Sequence, residues 1–188
     1  MKAQPPTLLV FSFLTLLGLV IPVWVLAKKQ TPQLNGLSES ELKQVVIRLE
    51  RTTCYGSCPA YKLTIHGDGS VEYEGGKYVK VKEKREGTIK PEDLKQLVAE
   101  FDKAAFFSIE QFGEQSCTSC TVCTDMPTAI TSIQVKGATH SVNHYYGCRC
   151  APKAIWDLET AIDKIVQVQQ WTGDVGKQGP LGTTCFQK

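Results

Sequence analysis

Eight cysteines are the residues of this 188-residue chain whose types and spacing could do chemistry. They fall into Cys54-x-x-x-Cys58-Pro59, Cys117-x-x-Cys120-x-x-Cys123, Cys148-x-Cys150 and a distant Cys185. In an oxidising compartment such cysteines read as bridges, and in a reducing one as metal ligands or catalytic thiols. For Cys54 and Cys58 three outcomes stay open: a local bridge around Gly56, pairing elsewhere, or a copper or redox site. Cys117, Cys120, Cys123, Cys148 and Cys150 could hold zinc, copper or an iron–sulfur cluster, with His140 or His144 nearby.

The first motif resembles the C-x-x-x-C-P of copper chaperones with the thioredoxin fold, which also use a distant His downstream of a membrane anchor. In that fold the second cysteine opens a helix, whereas Pro59 here leads into an alternating strand, so the resemblance fails on context. For the second group, bridges are the plainer expectation. If Lys136-Gly137 is a two-residue hairpin turn, Val135 faces Ala138 and counting outward puts Cys123 opposite Cys150 and Cys148 near Asp125. Cysteine groups meeting at the open end of a hairpin are what a disulfide staple requires. The disulfide candidates are therefore Cys54, Cys58, Cys117, Cys123, Cys148 and Cys150, with Cys120 and Cys185 left to pair with each other or stay free.

Other constellations carry less. His66, His140 and His144 read as solvated strand positions, and Asp68, Asp125 and Asp157 as turn, loop and helix-surface residues. No Ser-His-Asp order, glycine-rich phosphate loop or H-E-x-x-H is present, so no catalytic residue is assigned. An enzyme reading would need a pocket at the first hairpin around Tyr55, His66 and Asp68.

The elements that must position these residues follow from periodicity. Val45 to Arg51 reads as a strand, and Tyr61 to His66 and Ser70 to Glu74 alternate around Gly67-Asp68-Gly69 as a hairpin. Tyr78 to Val81 reads as the start of a fourth strand reaching toward Ile89, with the charges of Val79 to Arg85 on its wet side. Pro91 to Phe101 predicts a helix with Leu94, Leu97, Val98 and Phe101 on one face, followed by Phe106-Phe107 as a core plug. Thr128 to Val135 and Thr139 to Tyr146 form the second hairpin. Pro152 to Gln169 is a second helix with Ile155, Leu158, Ile162, Ile165 and Val166 as its stripe, closed by Trp171. The order ββββ-α-ββ-α predicts an α+β domain of two layers, an antiparallel sheet of hairpins packed by two helices.

Thr7 to Ala27 is a nearly unbroken apolar run between Lys2 and Lys28-Lys29. Residues 1–27 read as a signal peptide ending at Val25-Leu26-Ala27, or as a single transmembrane anchor if uncleaved. Residues 28–44 read as a linker, 45–171 as the disulfide-stabilised domain and 172–188 as a flexible glycine-rich tail. The expected location is exported, periplasmic or extracellular. A net charge of +2 argues against a nucleic-acid partner. The membrane is expected as a partner only through residues 7–27.

Cys54-Tyr-Gly-Ser-Cys-Pro-Ala-Tyr61, then Leu63-x-Ile65-x-x-Asp68-Gly69-x-Val71-x-Tyr73, and later Phe106-Phe107 and Thr124-Asp-Met-Pro-Thr128, resemble a family of bacterial secreted domains of unknown function. The resemblance spans Val45 to Trp171, and its first motif is the most specific part. The chain departs from the pattern in its extra cysteines between Cys117 and Cys123. The resemblance implies export and the domain boundaries, and brings no catalytic residues. The expectation is a non-catalytic binding or structural module at the cell envelope, without a cofactor, its partner an unidentified envelope protein or ligand. The alternative is a metal-binding or thiol-redox protein using the Cys117–Cys150 cluster, with zinc or copper.

Overall fold

The structure, a computed structural model, describes residues 31–117, 120–173 and the backbone of 185–187. The apolar segment expected over residues 1–27 lies outside the described residues, as do residues 174–184 of the expected tail. Among the described residues, no helix is long and apolar enough to cross a membrane.

In chain order the first elements are α1 (Glu39–Leu42), β1 (Val46–Arg51), β2 (Tyr61–His66), β3 (Ser70–Gly75), β4 (Arg85–Thr88) and α2 (Pro91–Lys103). A 3₁₀ turn (Phe106–Ser108) leads to β5 (Thr121–Cys123), β6 (Thr128–Val135), β7 (Ala138–Tyr145), α3 (Lys153–Val166), α4 (Gln169–Thr172) and β8 (Cys185–Gln187). Six strands make one sheet in the order β4-β3-β2-β1-β6-β7, and β5 pairs with β8 in a separate ribbon. Every pairing between these strands is antiparallel. The fold class is α+β.

Alternation selects one buried face, because successive strand side chains point to opposite sides. Ile47, Leu49, Leu63, Ile65, Val71, Tyr73, Ile133 and Val142 face the helices and share a core with Leu94, Leu97, Val98 and Phe101 of α2. Ile155, Leu158 and Ile162 of α3 complete it, and Phe106 packs edge-on to Phe101 at 4.8 Å between ring centroids. Lys136 (φ 50°) and Gly137 (φ 73°) make the tight turn of the second hairpin, with Val135 opposite Ala138.

Two departures from the sequence reading have local causes. Residues 78–81 are not a strand, and the edge strand is confined to Arg85–Thr88, the later part of the stretch read as reaching toward Ile89. Tyr78 sits at φ 60°, and the N–H groups of Lys80 and Val81 donate to the carbonyls of Thr172 and Trp171, which draws the segment to the end of α4 rather than to β3. Leu34 and Leu42, within the stretch read as a linker, are buried in the main core.

The helical turn α1 fastens this N-terminal stretch. Ser38 and Glu41 cap it reciprocally, and Glu41 also pairs with Lys136 at 3.1 Å on the second hairpin turn. The Ser38 backbone N–H and hydroxyl, with Lys136, lower the Glu41 carboxyl from the usual 4.5 to about 2. Its proton is therefore held more weakly in the folded chain than in the unfolded one. The stability this gives is present above the unfolded value and is lost as pH falls through the folded one. Glu41→Gln should flatten the acid limb of a pH–stability curve between about 4.5 and about 2, as followed by urea denaturation at fixed salt. An unchanged limb would show that the cap does not couple to folding.

Candidate functional site

Strand register builds the candidate site before any side-chain contact is considered. Tyr61 pairs with Arg51, Arg51 with Ala129, and Ala129 with His144, so one cross-sheet row runs through β2, β1, β6 and β7. Arg51 continues the inward parity of Ile47 and Leu49, which puts a guanidinium on the core face where α3 crosses the sheet. The small Ala129, 1% exposed, leaves room beside it.

Two acids one turn apart on α3 meet this row. Arg51 Nη2 donates to Asp163 Oδ2 at 2.7 Å, and its Nε donates to the same oxygen at 3.0 Å and to the Tyr61 hydroxyl at 2.9 Å. Tyr61 in turn donates to Asp163 Oδ1 at 2.6 Å. Arg51 Nη1 donates to the Tyr146 hydroxyl, which donates to Glu159 Oε2 at 2.7 Å. Glu159 also meets His144 Nδ1 at 3.0 Å, and both of these side chains are fully buried. Trp156 stands edge-on to the His144 ring at 4.3 Å, and His144 Nε2 has no hydrogen-bond partner.

Electrostatics holds the protons on Arg51, Tyr61 and Tyr146. Burial opposes the Arg51 charge, but Asp163 and the facing tyrosine oxygens outweigh it and hold the guanidinium well above its usual value. Burial, helped by the Asp163 charge, pushes the Tyr61 phenol well up, and burial does the same to Tyr146 beside Glu159. Burial also raises the Asp163 carboxyl, against the pull of Arg51. Both phenols therefore remain donors, and Arg51, Tyr61, Tyr146, Asp163 and Glu159 are occupied by one another.

The network forms one wall of an open cleft of about 920 Å³. Cys58 and Pro59 of the first cysteine loop, Met126 and Pro127 before β6, and Thr160, Lys164 and Val168 near the end of α3 line the rest. Cys54 and Cys58 are bridged, and the Tyr55 N–H donates to the Asp125 carbonyl at 3.1 Å, which ties the loop to the cleft rim. A family model described as a domain of unknown function (DUF6438) matches residues 45–166. The chain belongs to this family. No curated protein matches it significantly.

In this DUF6438 domain the remaining cysteines gather on the far side of the β6–β7 hairpin. Bridges join Cys117 to Cys148 and Cys120 to Cys150. The outward count that placed Cys123 opposite Cys150 fails because the hairpin register slips. Val122 and Thr128 are six positions apart, yet Tyr145 and Cys148 only three, although Thr128 lies opposite Tyr145 and Val122 opposite Cys148. Asp125, at φ 66°, and Pro127 lie in the longer arm. Cys123 is disulfide-bonded and lies cross-strand from Cys185, so Cys120 is not a leftover partner for Cys185.

Tyr55, His66 and Asp68 do not converge. Tyr55 is exposed, His66 pairs with Glu72 at 3.2 Å, and Asp68 accepts from the N–H and hydroxyl of Ser70 in its turn. None of the three lines the main cleft or the smaller one over β3 and β4. His144 is not a solvated strand position, since Glu159 and Trp156 enclose it, and His140 is half-buried against Phe106 and the Ile109 carbonyl. Arg51, Asp163, Glu159 and Tyr146 went unselected in the sequence. Two signals were present: Arg51 keeps inward parity in β1, and Glu159 lies four residues after Ile155 on the buried stripe of α3.

Removing one partner of a buried pair leaves the other charge uncompensated, which costs about 3–5 kcal/mol. Asp163→Ala should lose an amount of that order in urea denaturation with the bridges intact. The double variant Arg51→Met/Asp163→Leu should recover most of the loss, because neither member of the pair is then left without its opposite charge. A single variant as stable as the parent would mean that water already solvates the pair.

Proposed function

We propose that the chain is an exported cell-envelope domain, periplasmic or extracellular, that acts as a non-catalytic binding module through the cleft between the Cys54–Cys58 loop and the end of α3. The observation that carries this reading is the cleft itself, whose mostly apolar surface ends on the Arg51–Asp163–Tyr61 network. A cleft of this size with a few fixed polar groups is the usual form of a ligand site. Commitment of those groups to one another favours binding over catalysis, since Arg51 donates to Tyr61, Tyr146 and Asp163 while both Asp163 oxygens accept. The partner is a ligand or envelope protein with an apolar body and one anionic group, the latter facing Lys164 at the cleft edge. The bridges Cys54–Cys58, Cys117–Cys148 and Cys120–Cys150, the bonded state of Cys123, and the apolar run of residues 7–27 support the location.

Two measurements check this. An anilinonaphthalene sulfonate dye, apolar with a single anionic group, should fluoresce on binding the native protein. Thr160→Glu, an exposed helix position on the cleft wall one turn before Lys164, should weaken the dye by about tenfold, or about 1.4 kcal/mol, without lowering the melting temperature. Equal dye binding by the variant would remove the cleft from consideration. Exported protein denatured without reductant should take up no alkyl groups on its eight cysteines, and several alkylated thiols would count against the location.

A further inference from the structure

Four sulfurs on the side of the hairpin away from the cleft form a more specific arrangement than a staple needs. The Sγ atoms of Cys117, Cys120, Cys148 and Cys150 all lie within 4.8 Å of one another. Across the two bridges, Cys117 and Cys150 are 3.9 Å apart, Cys120 and Cys148 3.7 Å, and Cys148 and Cys150 3.7 Å. A tetrahedral zinc with four thiolates at about 2.3 Å places its sulfurs about 3.8 Å apart. The two bonded pairs, once reduced, and Cys117 and Cys120, at 2.9 Å, would have to part. We propose that these four cysteines form a redox-gated zinc site: two bridges when oxidised, and one tetrathiolate zinc centre once a dithiol has reduced them.

The loops that carry the sulfurs are held together by more than the bridges. The Cys123 N–H donates to the Gly147 carbonyl at 2.8 Å, the Arg149 N–H to the Thr121 carbonyl at 3.1 Å, and Val122 forms a bridge pair with Cys148. Reduction therefore leaves Cys117-x-x-Cys120 facing Cys148-x-Cys150. Three of the four residues are buried, which keeps water from competing for the metal, and an all-sulfur tetrahedral set suits zinc. Cys123 is outside the cluster, being bonded elsewhere, so the site has four ligands rather than the five cysteines that spacing suggested.

The chemistry balances without a further reactant. Each bridge takes two electrons and two protons from one dithiol, which leaves as its own disulfide. Zinc then displaces four thiol protons and changes no oxidation state. The paired thiolates leave a net charge of −2 at the centre, beside the Arg149 side chain that the sequence places between two of the ligands.

The test uses the full chain and zinc alone. Protein is reduced with a water-soluble phosphine, which does not compete for zinc and leaves as its oxide, given zinc, desalted against a weak chelator and assayed for metal. One zinc per reduced chain and none per oxidised chain is expected. Cys120→Ser and Cys150→Ser should each abolish retention, while Cys54→Ser/Cys58→Ser should keep one zinc. Cobalt in place of zinc gives a second readout that needs no variant to fold, with thiolate-to-cobalt charge transfer and tetrahedral visible bands expected. Reduced wild type that retains no zinc, undiminished retention by Cys120→Ser, or an octahedral cobalt spectrum would each overturn the proposal.

Discussion

A guanidinium on the core face of a central strand sets the terms for one end of this domain. Arg51 lies in the same parity as Ile47 and Leu49, so the fold cannot turn it outward without exposing them. A charge removed from water must be met by an opposite charge and by hydrogen bonds to its remaining donors. Asp163, Tyr61 and Tyr146 do this, and they come from α3, from β2 and from just beyond β7. The crossing of α3 over the sheet is thereby fixed by a polar contact as well as by apolar packing. Glu159, one turn earlier, extends the same contact to His144.

The cleft follows from this arrangement. Where the row of inward side chains turns polar, the sheet and α3 no longer close on an apolar seam, and the space beyond Arg51 is bordered by loops instead. The Cys54–Cys58 bridge spans only four residues, so it removes little chain entropy from the unfolded state. Its effect is local. It keeps the β1–β2 connection compact against the Asp125 carbonyl, beside the strand ends that present Arg51 and Tyr61. The most specific motif in the chain thus frames the cleft without contributing the charged groups in it.

The other cysteines act on the opposite side of the same hairpin. Three additional residues between Val122 and Thr128 break the register that β6 and β7 keep from their turn outward. That slip brings Cys148 level with Val122, gathers four sulfurs, and leaves Cys123 to the ribbon with β8. Met126 and Pro127, which lie within the slipped segment, also line the cleft. One irregular stretch therefore borders both candidate sites.

Local patterns in the sequence determined the α+β class, the two hairpins and the apolar faces of both long helices. Asp-Gly and Lys-Gly turns, strand alternation and the Leu94–Phe101 spacing depend only on neighbouring residues, and each of these is present in the structure. The expectation of export, through a signal peptide or an anchor within residues 1–27, rests on the sequence alone, because that segment lies outside the described residues. Tertiary structure decided the edge strand, because the Trp171 and Thr172 carbonyls that capture residues 80 and 81 lie some ninety positions away. It also decided the bridges, since a register slip is set by loop residues whose conformation no periodicity reports. The buried network was the least legible part. Parity in β1 and the stripe of α3 mark Arg51 and Glu159 as inward at most, and only the crossing of α3 over the sheet makes them partners of Asp163 and His144.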